Sequence, residues 1–447
     1  MRSSEIPRGT RTLPPLMAAK RRKLQDVLLD VFLRWGFQEV VTPTFEYLDA
    51  LTLGLGAGFN ERLFKLEERH TGRMISLRPD ITTQIAKLAA TRLKDEPRPL
   101  RFCYVANVFR YSASQTRNMQ ELYQAGVELI GLESPEADAE MIAIAVESMQ
   151  SVGLDDFRIA VSQPALVRQI LQAADLTPEV LERLQTALAI KDTSTLEAVV
   201  TQCDMTDQHR ETLLELPNLC GRAEVFDQAS KLIDNAEAQL ALKNLAQVYD
   251  MLKTYGLEDH VLIDLGELRG FEYYTGIMFE GFAPNFGYQV CSGGRYDLLK
   301  HYGPPDPATG FAIDIGALLE ALEKSNPVSV RTGADCLLID FRQDKRDALR
   351  ISRELRQRGH RVARDIIQRD RHGSVVYARL SGIPYALLIG SEPLATDEAL
   401  LHDVQRGTET RIPLLDVVSR VDAVLQQAFV SNEALPLHAD HEAEPKY

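Results

Sequence analysis

Two apolar, aromatic-rich runs separated by a short polar stretch set the strongest limit on what this chain can fold into. Arg101–Tyr111 and Leu122–Ile130 are dense in Phe, Tyr, Val and Leu, around a polar middle, Ser112–Gln120. They read as two antiparallel strands joined by a long loop. The segment before them, Met17–Phe37, places Leu24, Val27, Leu28, Val31, Phe32 and Trp35 at helical spacing and stops at Gly36. Gln38–Thr42 is short and β-branched and ends at Pro43, as a strand or strand edge would. Pro135–Val152 reads as a helix and Phe157–Val161 as a strand.

Farther along, the character changes twice. From about Ala165 to Leu257 helix formers dominate, with polar breaks at Asp192–Thr195 and Asp207–His209, so this stretch reads as a helical insertion. Strand patterns return at Val261–Leu265, Tyr274–Phe279, Tyr288–Ser292 and Gly310–Ile315, followed by a helix over Ala317–Lys324. Ser325–Gly333 reads as a linker. After it, Cys336–Phe341 reads as a buried strand, Asp344–Arg358 as an amphipathic helix, and Tyr385–Ile389, beyond Val375–Leu380, as a second apolar strand. That alternation predicts a small, partly parallel sheet. The acidic tail from about Ser431 lacks the apolar content to fold.

Composition removes several classes of function. No run approaches the ~20 apolar residues of a membrane span, and MRSSEIPRGTRTLPP lacks the apolar stretch of a secretory signal. Five scattered cysteines without a CxxC pair argue against a disulfide framework or a zinc site and fit a reducing cytoplasm. A formal net charge of −14 opposes non-specific nucleic-acid binding. Gly54-Leu55-Gly56-Ala57-Gly58 lacks the spacing of a dinucleotide loop and reads as a flexible loop, and His438 and His441 sit in the acidic tail without a scaffold for a metal.

Four segments are chemically richer. Ser76-Leu77-Arg78-Pro79-Asp80-Ile81-Thr82 sets an arginine, a carboxylate and a hydroxyl around a proline, and by itself also reads as a surface turn. On a strand, Gln124, Gly126 and Glu128 share one face while Val127 and Leu129 take the other, so an amide and a carboxylate look over a glycine. Leu268-Arg269-Gly270-Phe271-Glu272-Tyr273-Tyr274 offers an arginine fork for a carboxylate beside two tyrosines, or else a Tyr-rich strand with a surface arginine. Ser292-Gly293-Gly294-Arg295-Tyr296-Asp297 reads as a tight turn into a helix, its glycines serving backbone geometry.

Together and in this order, these segments resemble the class II histidyl-tRNA synthetase family over roughly Ile6–Ala428. Pro7-Arg8-Gly9-Thr10-Arg11 is similar to that family's opening, Trp35-Gly36-Phe37 through Thr42–Glu46 to its dimer-forming motif 1, Phe109-Arg110 with Tyr123–Gly131 to motif 2, and Leu268–Tyr274 to its histidine signature. The resemblance implies an α+β fold. An antiparallel sheet flanked by helices would span residues 1–325 and carry the helical insertion of about 165–257. An anticodon-binding-like α/β domain would span 334–428, and a disordered tail 431–447. It implies a histidine pocket of Asp80, Thr82, Arg110, Gln124, Glu128, Arg269, Tyr273 and Tyr274, with Asp80 on the α-ammonium, Arg269 on the carboxylate, and Glu128 and the tyrosines on the ring.

The nucleotide half departs from the pattern. Ser112 stands where active synthetases carry the glutamate of Arg-x-Glu, and Arg117 alone remains of the loop arginines, displaced. Gly316-Ala317 replaces the Glu-Arg of motif 3, and Asp314 replaces a glycine beneath the nucleotide. An amino-acid half kept beside a dismantled nucleotide half resembles the synthetase-like regulatory subunits of ATP phosphoribosyltransferase, although many of those lack an anticodon-like domain. This second resemblance implies no catalysis and no cofactor. It implies a cytoplasmic hetero-oligomer with the short catalytic subunit at the first step of histidine biosynthesis, L-histidine as effector, and a homodimer through the motif 1-like region. The alternative is an active histidyl-tRNA synthetase. Arg342–Arg371 holds 11 basic and 5 acidic residues, and Arg346, Arg350 and Arg353 share a helix face that either touches RNA or is a vestigial solvated surface.

Overall fold

The computed structural model describes residues 5–53, 57–111, 119–174, 176–268, 273–367, 369–391 and 394–432. The chain divides into two compact units, Met1–Val330 and Arg331–Tyr447.

The strands of the first unit, in chain order, are β1 (Gln38–Glu39), β2 (Phe45–Tyr47), β3 (Lys65–Glu67), β4 (Met74–Leu77), β5 (Leu100–Phe109), β6 (Glu121–Ile130), β7 (Arg158–Ser162), β8 (Cys220–Gly221), β9 (Val261–Asp264), β10 (Tyr274–Phe282), β11 (Gln289–Tyr296) and β12 (Ala308–Asp314). Nine of them form one sheet in the order β1-β5-β6-β12-β11-β10-β7-β9-β8, and β2-β4-β3 form a small second sheet. The central ladder is the antiparallel β5–β6 pair, in register from Leu100 opposite Ile130 to Phe109 opposite Glu121. Only β1–β5 and β7–β9 pair in parallel within the large sheet. The architecture is a mixed α+β arrangement, as the class II synthetase resemblance implies, with a separate C-terminal sheet domain.

The pleat sends alternate residues to opposite faces, and the two faces do different work. Ala125, Val127 and Leu129 of β6 enter a large core with Leu24, Leu28, Val31 and Phe32 of the helix Pro15–Arg34, with the helix Pro135–Ser151, and with Leu318 and Leu322 of the helix Ile315–Ser325. Burying a side chain of this size stabilises by roughly 1.5–3 kcal/mol. The opposite face is covered over only part of its area. There the helix Thr82–Thr91 brings Ile85, Ala86 and Ala89 against Phe102, Tyr104, Val108, Ile130 and Tyr296.

Among the described residues, six α-helices lie between β7 and β9, from Pro164–Ala173 to Ala236–Thr254. The polar breaks in that stretch are helix starts. Asp192 accepts from Thr195 N, Thr206 from His209 N and Asn235 from Ala238 N, each filling a donor that a helix N-terminus leaves open.

The second unit has five strands in the order Val362–Arg364, Cys336–Asp340, Tyr385–Ile389, Glu398–Asp403, Thr408–Pro413. The first three pair in parallel and the last two add antiparallel. Helices Arg346–Gln357 and Val417–Asn432 cover one face, and Arg371–Leu380 packs on the other. Val375–Leu380 is thus helical.

Two features differ from expectation. Ser292–Tyr296 is strand, the second half of β11, with no tight turn into a helix. Its glycines serve close approach between strands: a Cβ on Gly293 would run into Phe311, and one on Gly294 into the Ile277 carbonyl. The small β2-β4-β3 sheet is the second difference. It pairs Phe45 with Leu77 and Leu66 with Ile75 across three strands of at most four residues, too short for alternation to stand out.

Candidate ligand site on the partly covered face of the central sheet

Gln124, Gly126 and Glu128 do share a face, the one on which Tyr104 lies opposite Gly126. Glu128 is 1% exposed. Each of its carboxylate oxygens accepts one hydroxyl: Thr82 Oγ1 donates to Oε1 at 2.6 Å and the Tyr296 hydroxyl to Oε2 at 2.7 Å. Burial pushes the Glu128 carboxyl up to about 8, against the two hydroxyl bonds and with a smaller upward push from Asp80. An isolated carboxylate in this setting is costly, so the site favours a proton on Glu128 or a cationic or hydrogen-donating ligand next to it.

Asp80 and Thr82 come from the entry to the helix Thr82–Thr91. Asp80 Oδ1 accepts from the backbone Thr82 N at 2.7 Å, which holds the Asp80 side chain against the helix entry. Arg110, just beyond β5, donates through Nε to the Pro79 carbonyl at 2.7 Å and through Nη2 to Asp80 Oδ2 at 3.4 Å. Tyr273 and Tyr274 stand edge to face with ring centroids 4.9 Å apart, and Tyr273 lies 5.9 Å from the ring of Tyr296. Burial raises the pKa of both phenols, so they are neutral hydrogen-bonding groups. Gln124 is 8% exposed, and its Oε1 has no hydrogen-bond partner among the described residues. A buried amide oxygen left without a donor costs about 1–3 kcal/mol, which a ligand's N–H would relieve. Asp80, Thr82, Arg110, Glu128, Tyr273 and Tyr274 are thus linked through contacts, and Gln124 lies on the same strand face as Glu128. Arg269 lies outside the described residues.

The floor between these groups is made of small residues on neighbouring strands: Gly126, Ala312, Gly310 and Ser292, paired across β6, β12 and β11. A Cβ on Gly126 would come within 2.5 Å of the Tyr104 hydroxyl and the Phe311 carbonyl, and one on Gly310 would collide with the Glu128 carboxylate. This stretch of the sheet face, called the trough below, is packed close at Gly126 and Gly310 and carries a carboxylate, an amide and phenols, groups that would suit a small zwitterion with an aromatic donor.

Sequence reasoning overlooked Tyr104 and Tyr296. Tyr104 is 1% exposed and faces the floor, and Tyr296 holds one oxygen of Glu128. The signal was present: both are tyrosines on strands, in the same alternation that gave Gln124 and Glu128, but only the strand register reveals which face they take. Arg78 and Arg295 are structural. Arg78 donates to the carbonyls of Thr42 and Asn107, and buried Arg295 pairs with Asp138 and the Leu132 carbonyl.

On the nucleotide side, Asp314 was expected beneath a nucleotide. Its Oδ1 instead accepts from Ala317 N at 3.0 Å and caps the helix Ile315–Ser325. Ala317 is fully buried in the core. Ser112, Arg117 and Gly54–Gly56 lie outside the described residues, as do His438 and His441, while Ala57–Arg62 forms a 3-10 helix. Among the described residues no group of three or more His, Cys, Asp or Glu is placed to hold a metal, and no helix is long and apolar enough to cross a membrane. The five cysteines are free.

The basic stretch of the second unit is laced with carboxylates. Arg342 pairs with Asp340 and Asp347, Arg346 with Asp344, Arg350 with Glu354, and Arg358 with Asp422. Surface pairs of this kind contribute little stability, and these engage four of the eleven basic residues of the stretch, Arg346 and Arg350 of the shared helix face among them.

The sequence model of the family described as Histidyl-tRNA synthetase matches residues 9–318. The ATP phosphoribosyltransferase regulatory subunit of Geobacter sulfurreducens is 40% identical over 415 residues, 93% of this chain and 95% of the relative. A Histidine--tRNA ligase of Thermococcus kodakarensis is 36% identical over 91% of this chain and 95% of its own length. Among solved structures, one described as an ATP phosphoribosyltransferase regulatory subunit/histidyl-tRNA synthetase from Bacillus halodurans matches with a TM-score of 0.75 at 31% identity, over 83% of this chain and 96% of that one. With this fold, these relatives and a regulatory-subunit likeness along nearly its whole length, the chain belongs to the ATP phosphoribosyltransferase regulatory subunit family, within the histidyl-tRNA synthetase-like proteins.

Proposed function

We propose that this protein is a non-catalytic subunit that binds the short catalytic subunit of ATP phosphoribosyltransferase in the cytoplasm and makes the first step of histidine biosynthesis responsive to L-histidine. The observation that carries the reading is Glu128, buried on a glycine floor with both oxygens held by hydroxyls beside Asp80, Gln124 and two tyrosines. That arrangement suits an imidazole donor and an α-ammonium. With Ala317 buried and Asp314 turned into a helix cap, neither residue offers a cation to a polyphosphate. A ligand bound but not activated is suited to sensing, and sensing requires that it bind two states of the complex unequally.

In this reading residues 1–325 form the sensing domain with a helical insertion at about 165–257, and residues 334–428 form an anticodon-binding-like domain without a nucleic-acid role, in keeping with its paired arginines. The chain forms a homodimer through the region of Thr42–Glu46, where Val41 and Phe45 are 87% and 53% exposed. The test is co-purification with the short catalytic subunit, then phosphoribosyl-ATP formation with and without histidine. If the partner neither co-purifies nor changes its histidine sensitivity, the regulatory reading fails.

The 36% identical Thermococcus kodakarensis ligase supports a second reading, an active histidyl-tRNA synthetase. Histidine-dependent ATP–pyrophosphate exchange by the purified protein would establish that reading and overturn the first.

A further inference from the structure

Strand β9 ends at Asp264 and β10 begins at Tyr274, and the helical region between β7 and β9 grips this connection at both ends. At the start, Leu265 N donates to the Leu219 carbonyl at 3.0 Å. Gly266 lies so close to the 3-10 turn Leu216–Asn218 that a Cβ would stand 2.9 Å from Pro217 Cα. Asp264, 9% exposed, accepts from Gly266 N through Oδ1 at 3.1 Å and from Lys191 Nζ through Oδ2 at 2.7 Å. Lys191 itself has φ +53, a left-handed backbone uncommon outside glycine, just past the helix Pro178–Ala189. At the far end, Arg168 Nη2 on the helix Pro164–Ala173 donates to the Tyr274 carbonyl at 3.1 Å. Tyr274 packs on Tyr273, Tyr273 lies near Tyr296, and Tyr296 holds Glu128.

We propose that Lys191 and Arg168 are positioning residues, through which the helical region sets where Tyr273 and Tyr274 stand beside Glu128, so that the state of the helical region and occupancy of the trough are coupled. This rests on the reading of the trough as a histidine site. At the far end the contacts run from Arg168 through Tyr274, Tyr273 and Tyr296 to Glu128, and at the near end Lys191 holds Asp264, where the connection starts. Neither cation belongs to the trough, and Lys191 is half-exposed. By linkage, any chain that docks on the helical region and disturbs this grip changes histidine affinity, and histidine changes the docking affinity by the same factor.

The experiment uses the full chain. Calorimetric titration with L-histidine is run on the wild type, Lys191→Met, Arg168→Met, Lys191→Arg and the Lys191→Met/Arg168→Met double variant. Hydrogen exchange of the Tyr273–Gly276 amides is followed in each without ligand. Each methionine variant should weaken histidine binding about fivefold or more, and Lys191→Arg should restore it to within about twofold. Exchange at Tyr273–Gly276 should quicken in both. A purely structural role would lower the unfolding midpoint and leave the dissociation constant unchanged. Wild-type histidine binding with unchanged binding in both variants overturns the coupling and leaves the histidine reading intact. Absence of binding by the wild type overturns the histidine reading, and the exchange measurement then decides on its own whether Lys191 and Arg168 position the tyrosines.

Discussion

Replacing Glu128 with Gln tests the electrostatics of the trough with one atom. Burial holds the Glu128 carboxyl at about 8, against 4.5 for the free group. Folded protein therefore keeps a proton on Glu128 across a range in which the unfolded chain has released it. The sign follows from linkage: the native state binds more protons, so its stability is complete below about pH 4.5 and declines as pH rises through about 8. A single group changes stability by at most about 1.36 kcal/mol per pH unit. Between about pH 5.5 and 7.5, two units inside that window, the wild type should lose up to about 3 kcal/mol through this residue. The glutamine of Glu128→Gln cannot titrate but still offers one oxygen to the hydroxyl of Thr82 or Tyr296. The difference in unfolding free energy between variant and wild type should move in the variant's favour with pH by up to that amount. Trp35, the sole tryptophan of the chain, lies in the first unit and donates to Glu147 at 2.6 Å. Its fluorescence during urea titration therefore reports this unit alone. Parallel stability-versus-pH curves for the two proteins would refute the argument.

Other expectations follow from the same geometry. Gly310→Ala sets a methyl group against the Glu128 carboxylate and the Val127 carbonyl; it should cost at least about 1–3 kcal/mol and abolish heat from histidine in calorimetry. Ala317→Arg forces a guanidinium into a fully buried position, so it should destabilise the first unit and yield no histidine-dependent ATP–pyrophosphate exchange. Asp422→Ala removes the acceptor of His360 Nε2 at 2.7 Å and of Arg358 at 2.6 Å. It should lower the stability of the second unit by about 1–3 kcal/mol, seen as faster hydrogen exchange in the helix Val417–Asn432 while the Trp35 transition stays put.

Alternation was the most legible signal, because a ten-residue ladder with one buried face leaves no choice of which side chains point together. Gln124 and Glu128 were found that way. The helical stretch was equally plain, since the polar breaks at Asp192–Thr195 and Asp207–His209 fall where helices start. Register was not legible. Tyr104 and Tyr296 reach the trough only because β5 and β11 align with β6 and β12 as they do, and nothing in the local sequence of either tyrosine carries that alignment. Gly293-Gly294 misled for a related reason. A glycine pair signals a turn when read locally, whereas here it answers the backbone of Phe311 and Ile277 on neighbouring strands. Asp314, expected in place of a glycine beneath a nucleotide, also caps a helix, because a carboxylate one residue before a helix finds near donors in that helix's own open N–H groups.

The glycine floor has a consequence for how such a protein changes over generations. A side chain that performs chemistry can be exchanged at little risk to the fold, because it stands at the end of a strand or in a loop. A glycine forced by the approach of its neighbours has no tolerated neighbour in the genetic code: each single-base change at Gly126 or Gly310 that alters the residue adds atoms where a carbonyl, a ring or a carboxylate already lies. Mutation therefore erodes reactivity readily and erodes this close packing hardly at all. The approach at these glycines is inherited with the sheet itself, so a chain of this fold can shed reactive groups and still keep Tyr104 and Glu128 where the strands set them.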